Sequence, residues 1–403
     1  MRGSREEESS NSFFSVDYMK KRGSWSGATP QAASPTLQKK RGSEPIGASA
    51  LFGEVTPDLS QQRLDPGQFT WLPPAQPPSF PPDSEDDSIE RLPYICRSQA
   101  GSRRAQATIQ RANPAQMDQI VSVLCRVSLA DLMVDPYGNY MCQTLFEHCS
   151  AAQRLYLLRY LRPNLVDISL SERGTHALQK LISLVNLPEE FSVLVETFSP
   201  AVVTLATHQH ASHVVQSVIL KVRDCSALIL PLTEHVSDLA STQLGLLVIK
   251  ATIAAAEHTD KDLLKRKLLE SCTMLVQDSF GNIAIQYMLE QWSWGYCQEI
   301  MACVKGRAVQ LSLQKFSSNF IERCLELANE QHREVLLTEL ANPHRLRDLL
   351  DNKFGLFVLK KAIRVGGAEF KADLKRAVRT LPPGLLAQRR KGKWEPIMKE
   401  LEE

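Results

Sequence analysis

The stretch Asp135–Gln143, DPYGNYMCQ, decides how the chain is read. It reads as a tight Pro-Tyr-Gly turn feeding a helix. On that helix Asn139 and Gln143 stand one turn apart and share a face, with Tyr140 beside them. Met141 and Cys142, between them, read as core. The pattern returns along the chain as SQAGSRRAQ, SERGTHALQ, HQHASHVVQ, TQLGLLVIK, DSFGNIAIQ, QKFSSNFIE and NKFGLFVLK. The eight copies end at Gln106, Gln143, Gln179, Gln216, Lys250, Gln286, Glu322 and Lys360, at intervals of 37, 36, 37, 34, 36, 36 and 38 residues. A nearly constant period in the range of about 20–50 residues marks stacked supersecondary units, that is, a solenoid.

Each unit reads as all-α. A helix starts after the Gly, Ala or Ser of the turn. A second helical segment follows, as in AAQRLYLLRYLRPNLVDIS and EQHREVLLTELANPHRLRDLL, with leucines spaced by threes and fours. Pro163, Pro188, Pro231 and Pro343 are expected between helices, where a proline interrupts nothing. One such unit cannot bury its apolar face alone, so neighbours must stack.

With the turn residue as zero, positions +3 and +4 are apolar in nearly every copy, as in Ala177-Leu178, Val214-Val215 and Phe320-Ile321. They are the expected core. Positions +1, +2 and +5 are expected to face the other way and to join, through stacking, into one continuous surface. That surface would carry Ser102, Arg103 and Gln106; Asn139, Tyr140 and Gln143; Thr175, His176 and Gln179; Ser212, His213 and Gln216. Leu246, Leu247 and Lys250 follow, then Asn282, Ile283 and Gln286; Ser318, Asn319 and Glu322; Leu356, Phe357 and Lys360. A merely solvated face would mix Lys, Glu and Arg. Short hydrogen-bonding groups beside flat side chains suit unpaired nucleic-acid bases, whose edges an amide or carboxylate reads while a ring or guanidinium stacks.

Composition sets the frame. The 403 residues are 43% hydrophobic and 23% charged, as in ordinary globular chains, with a net charge of +2. Residues 1–90 hold 9 of the 47 Lys and Arg and 13 of the 45 Asp and Glu, so the remainder is mildly basic. That is compatible with RNA. Ser, Pro and Gly dominate residues 1–90, where a disordered tail is expected; its similar pieces KKRGSWS and KKRGSEP are candidate kinase sites. The nine cysteines all follow residue 90, without a CxxC pair, which favours reduced thiols in a cytosolic or nuclear protein. The opening MRGSREEESS lacks the apolar run of a signal peptide, and no span of about 18 apolar residues suggests a membrane helix. No GxSxG, P-loop or HExxH motif points to an enzyme. His176 and His213 stand in different repeats without ligand spacing, so neither a metal nor another cofactor is expected, and no small-molecule substrate.

The repeats resemble the PUF (Pumilio/FBF) family over roughly residues 92–403, in all eight copies and in order. QKFSSNFIERCLE is the most specific piece and is similar to the family's seventh repeat; DPYGNYMCQ and DSFGNIAIQ are similar to repeats two and six, and SQAGSRRAQ to repeat one. RRKGKWEPIMKELEE is similar to the C-terminal capping repeat, and a short N-terminal cap is expected in IERLPYICR. The resemblance implies a right-handed superhelical α-solenoid, a crescent of eight Pumilio-type repeats at 91–403. Single-stranded RNA would lie on its concave face, one base per repeat.

It further implies a code. Asn139 with Gln143, and Asn282 with Gln286, match uracil. Ser318 with Glu322 matches guanine. Ser102 with Gln106 and Ser212 with Gln216 match adenine, and Thr175 with Gln179 leans the same way. With the RNA 5′ end on the last repeat, the site is 5′-n-G-U-n-A-(A)-U-A-3′. Repeats five and eight depart, with Leu246/Lys250 and Leu356/Lys360 at the reading positions, and repeat six has Ile283 where an aromatic ring usually stacks. The implied role is regulation of mRNA translation or decay through 3′-untranslated elements in the cytoplasm, with effector proteins as partners. The alternatives are a nuclear or nucleolar factor in ribosome biogenesis and a protein-binding helical scaffold.

Overall fold

The computed structural model describes residues 88–382, 392 and 394–402. The expected N-terminal tail, with its serine clusters, falls almost entirely outside the described residues. The chain divides into two units, Met1–Leu64 and Asp65–Glu403; every described residue belongs to the second. Among the described residues all regular structure is helical.

Most repeats are triplets rather than pairs of helices. In repeat two a short lead helix, Leu129–Val134, precedes the motif helix, Gly138–His148, and a return helix, Ala151–Leu161, closes the unit. The long second segment read from the sequence is therefore two elements. In AAQRLYLLRYLRPNLVDIS the break is the 3-10 turn Arg162–Asn164 around Pro163, after which the lead helix of repeat three starts at Leu165. Pro188 and Pro343 occupy first helical turns, where the missing N–H costs no bond. Pro231 corrects the expectation: it lies inside the return helix Ser226–Glu234. Its absent N–H would have reached the carbonyl of Ala227, an exposed residue at the helix start.

The motif helices pack side by side in chain order, from Gln99–Arg111 in repeat one to the helix beginning at Lys353 in repeat eight. Residues +3 and +4 form the buried seam: Met141, Cys142, Ala177, Leu178, Val248, Ile249, Phe320 and Ile321 are fully enclosed. Lead and motif helices meet closely. A Cβ on Gly138 would stand 2.7 Å from the Leu132 carbonyl oxygen, and on Gly245 2.3 Å from that of Leu239. Repeat seven has Ser317 there, and its hydroxyl donates to the corresponding carbonyl, Leu311, at 2.6 Å.

The residue three before the turn caps the motif helix. Oγ or Oδ1 of Ser98, Asp135, Ser171, Thr242, Asp278 and Asn352 accepts from the backbone N–H of the turn residue. Ser, Thr and Asn start the helix two residues before the turn residue, whereas after Asp135 and Asp278 it starts on the glycine itself.

Polar links join successive return helices. Gln153 Nε2 donates to Asp118 Oδ1 at 2.6 Å, from repeat two to repeat one. Arg154 meets Glu190 of repeat three, Nε to Oε1 at 2.6 Å, with both side chains buried. Glu190 Oε2 also accepts from the backbone N–H groups of Asn186 and Leu187 at 2.8 and 2.9 Å. Burial opposes the charge of Glu190, but the Arg154 and backbone hydrogen bonds outweigh it and hold this carboxyl below its ordinary range. Repeat six departs most: its motif helix ends at Trp292, and an aromatic loop leads to the short helix Met301–Val304. Trp294 Nε1 donates from that loop to His332 Nδ1 of repeat seven at 3.0 Å.

The ends are closed. The 3-10 turn Ile89–Arg91 and the helix Leu92–Ile95 precede the first motif helix. The helix Glu395–Glu402 packs on the last, with Trp394 fully buried and its Nε1 donating to Asp351 Oδ1 at 3.2 Å. Among the described residues no helix is long and apolar enough to cross a membrane.

Candidate nucleic-acid interface

The stacked motif helices bring the +2 and +5 side chains into two parallel rows. The +2 residues are the open ones. Arg103, His176, His213 and Asn319 are exposed, and the rings of Tyr140 and Phe357 are 56% and 59% accessible, far above core aromatics. Ile283 is half-buried. The +5 residues Gln106, Gln143, Gln179, Gln216, Gln286, Glu322 and Lys360 are also half-buried, so their polar ends lie at the surface with stems supported by neighbours.

Contacts between repeats tie the +5 row, at three steps, to the +6 residue of the next repeat. Gln106 Oε1 accepts from Thr144 Oγ1, the +6 residue of the next repeat, at 3.4 Å. Gln179 Nε2 donates to Ser217 Oγ, again the following +6 residue, at 3.4 Å. In repeat five Lys250 makes the same step, its Nζ lying 4.7 Å from the ring centre of Tyr287. Burial holds the Lys250 ammonium below its usual range, although Glu290 pulls the other way.

The +1 residues differ from the sequence expectation. Ser102, Asn139, Thr175, Ser212, Asn282 and Ser318 are buried beneath the surface rather than displayed on it. For Asn139, Thr175, Asn282 and Ser318 the reason is the first helical turn, which folds these short side chains back onto the backbone. Asn139 Nδ2 donates to the carbonyls of Asp135 and Pro136 at 2.9 and 3.1 Å, and its Oδ1 accepts from Gln143 Nε2 at 3.1 Å. Asn282 and Gln286 repeat this geometry, with 2.9 Å between the amides. The +1 amide therefore orients the +5 amide, leaving Gln143 an oxygen acceptor and a second N–H to offer outward. An acceptor beside a donor complements the imide edge of uracil. Ser102 Oγ donates to the Tyr137 carbonyl at 2.8 Å and accepts from Gln106 Nε2 at 3.2 Å, fixing a different +5 presentation. Ser318 Oγ donates to the Lys315 carbonyl at 3.4 Å, beside the carboxylate-bearing Glu322.

Repeat eight is altered by the cap. Lys360 Nζ lies 3.5 Å from Glu400 Oε1 on the terminal helix, and Arg364 reaches the same oxygen at 4.0 Å. The candidate Lys360 is thus already engaged by an acidic residue that no repeat period places there.

A second periodic feature escaped the sequence reading. Position +9 of one repeat pairs with position +6 of the next, in Glu147–Lys180, Glu290–Arg323 and Glu326–Lys361. The ladder is absent at the centre, where Leu220 and Ala254 take +9 and Ala251 and Tyr287 take +6. Charges recurring at the repeat spacing were the available signal. The nine cysteines are free thiols, eight of them buried; burial pushes Cys125 and Cys149 up to about 12. No group of three metal-ligating side chains occurs among the described residues.

Comparison with known proteins agrees with this architecture. A family model described as the Pumilio-family RNA binding repeat matches residues 128–161, 201–222, 271–293 and 307–341, which fall on repeats two, four, six and seven. A Pumilio domain-containing protein of Schizosaccharomyces pombe is 33% identical over 293 residues, covering 72% of this chain and 43% of the relative. Pumilio homolog 12 of Arabidopsis thaliana is 29% identical over 287 residues, covering 68% and 47%. The chain thus spans less than half the length of these two relatives. Among solved structures, the Puf4 RNA binding domain bound to an HO endonuclease RNA 3′ UTR recognition sequence aligns with a TM-score of 0.70 at 27% identity, covering 79% of this chain and 100% of that one. Yeast Puf5p bound to AAT2 RNA shares the fold, with a TM-score of 0.68 at 21% identity over 78% and 97% of the two chains. Repeat period, buried seam, exposed +2 row and these likenesses together make the chain a member of the PUF family of Pumilio-repeat proteins.

Proposed function

We propose that this chain binds single-stranded RNA in a sequence-specific way, one base per repeat, along its row of motif helices. The observation that carries the reading is the +5 row, linked at the same step from repeat to repeat, lying beside the open +2 row. Flat or planar groups alternate with edge-reading groups at the spacing that stacking of the repeats imposes. The likeness to RNA-bound Puf4 supports it. Bases would insert between +2 side chains and meet the +5 groups at their edges. The preferred element would be 5′-n-G-U-n-A-(A)-U-A-3′. The protein would act in the cytoplasm on 3′-untranslated elements of mRNA, through recruited effector proteins, in a binding rather than a catalytic role.

The test is a change of preference. Ser318→Asn combined with Glu322→Gln rebuilds in repeat seven the amide pair seen at Asn139 and Gln143. In-vitro selection of RNA with the variant should show uracil replacing guanine at the second position. Loss of binding with no change of preference would overturn the assignment of these side chains to base reading.

A further inference from the structure

Repeat four caps its motif helix differently from its neighbours. Six repeats cap with hydroxyl, carboxylate or amide oxygens and repeat seven, with Gln314, has no side-chain cap among the described residues; repeat four has His208. Its Nδ1 accepts from the backbone N–H groups of His210 and Ala211 at 3.2 and 3.3 Å. An accepting Nδ1 carries no proton, so the ring is neutral with its hydrogen on Nε2. Oxygen caps remain acceptors across neutral and mildly acidic pH. An imidazole does not.

The first turn that this cap holds bears two candidate base-contacting residues, Ser212 at +1 and His213 at +2. The hydroxyls of Ser102, Thr175 and Ser318 are each held by a backbone carbonyl. Ser212 Oγ is buried and has no hydrogen-bond partner among the described residues. With no side-chain bond of its own, its direction follows the backbone of that turn, which the cap helps to hold together with the bonds from Ser212 N–H to the His208 carbonyl and from His213 N–H to the His210 carbonyl.

Resting on the RNA-binding reading above, we infer that His208 is a positioning residue whose protonation loosens repeat four's hold on its base. A proton on Nδ1 turns an acceptor into a donor facing two N–H groups and adds positive charge at the positive end of the helix. Burial and the neighbouring His210 ring, 5.8 Å away, hold His208 below the usual histidine range. The folded state thus favours the neutral cap, which is lost only as pH falls through a value below the usual histidine range. The packed motif helices carry Glu172, Arg173, His176 and Lys180 in repeat three and Lys250 in repeat five. Of the charged groups around the ring, His210 is the one that shifts it.

Two measurements on the full chain test this. The first follows amide exchange at His210 and Ala211, corrected for intrinsic rate, at pH 7.5 and pH 5.5, and does not involve RNA. Protection of both amides should fall at the lower pH in the wild type and persist in His208→Asn, which restores an oxygen cap. Equal protection at the two pH values in the wild type would overturn the cap mechanism.

The second measures fluorescence anisotropy of labelled 5′-UGUAAAUA-3′ and of the same RNA with U at position five. Any general effect of acid on RNA binding acts on both RNAs alike, so the ratio of the two affinities is the readout. In the wild type, preference for A at position five should fall roughly fivefold between the two pH values, the size expected for loss of a helix cap. In His208→Asn it should hold. A ratio that moves equally in both proteins would refute positioning by His208. Absence of binding to either RNA at pH 7.5 would sink the RNA reading itself while leaving the exchange result standing.

Discussion

Replacing Glu190 with Ala isolates the link between repeats two and three. The carboxylate is fully buried, and its two oxygens take four hydrogen bonds: Arg154 Nε at 2.6 Å, an Arg154 terminal nitrogen at 3.3 Å, and the N–H groups of Asn186 and Leu187 at 2.8 and 2.9 Å. Its removal leaves a buried guanidinium without its counter-charge, which alone costs about 3–5 kcal/mol. Arg154 keeps a bond to Asn186 Oδ1 at 2.9 Å, which limits the loss, while each orphaned backbone donor adds about 1–3 kcal/mol where water does not reach it. A loss of about 4 kcal/mol is expected. Because each repeat touches only its neighbours, the loss should split urea unfolding, followed by circular dichroism, into two steps at this seam. Replacing the pair together, Arg154→Met with Glu190→Leu, should recover most of the stability, since two matched apolar groups leave nothing unpaired. A loss below about 1 kcal/mol for Glu190→Ala would refute the claim that the pair ties the seam. The pH dependence follows from the same geometry. The folded carboxyl sits below its ordinary range, so its contribution is complete above the unfolded value, about 4.3, and disappears as pH falls through the folded one. The wild-type advantage over Glu190→Ala should therefore shrink only below about pH 4.

Two further outcomes concern the interface. Tyr140→Ala removes an exposed ring without touching the core, so RNA affinity should fall by about 1–3 kcal/mol in a filter-binding assay while the melting temperature stays within a degree or two; an unchanged affinity would place Tyr140 off the RNA. Glu400→Gln releases Lys360 and Arg364 at the last repeat, so the slope of log affinity against log salt should steepen by about one to two for an eight-nucleotide RNA, and an unaltered slope would show that neither cation reaches a phosphate.

Much of the architecture is legible in the sequence because a solenoid repeats its local rules. The period locates the turn residue, and from it the +3 and +4 seam follows, as Met141-Cys142 and Phe320-Ile321 illustrate. The exposure of Arg103, Tyr140, His176, His213 and Phe357 follows from the same helical geometry. What the period does not reveal is where a polar side chain directs its hydrogen bonds. Asn139 and Asn282 look like surface readers in sequence, but the first turn offers them backbone carbonyls close by, and that local competition buries them. The division of each second segment into return and lead helices is marked only by prolines such as Pro163 and Pro343, because leucine spacing runs through the breaks. The Glu400 contact joins residues that no repeat relates.

The close approach of lead and motif helices has a consequence for how such an array tolerates change. From Ile95 and Gly101 through Leu132 and Gly138 to Leu349 and Gly355, the carbonyl and the glycine facing it are always six residues apart. The steps from one copy to the next nevertheless vary between 34 and 38 residues. All that variation is therefore confined to the stretch after the motif helix, where repeat four makes do with a nine-residue return helix and repeat six with a loop, the 3-10 turn Gln298–Ile300 and the short helix Met301–Val304. Insertions and deletions there leave the spacing of the +1, +2 and +5 positions untouched, so one side of the array is free to diversify while the other keeps its gauge.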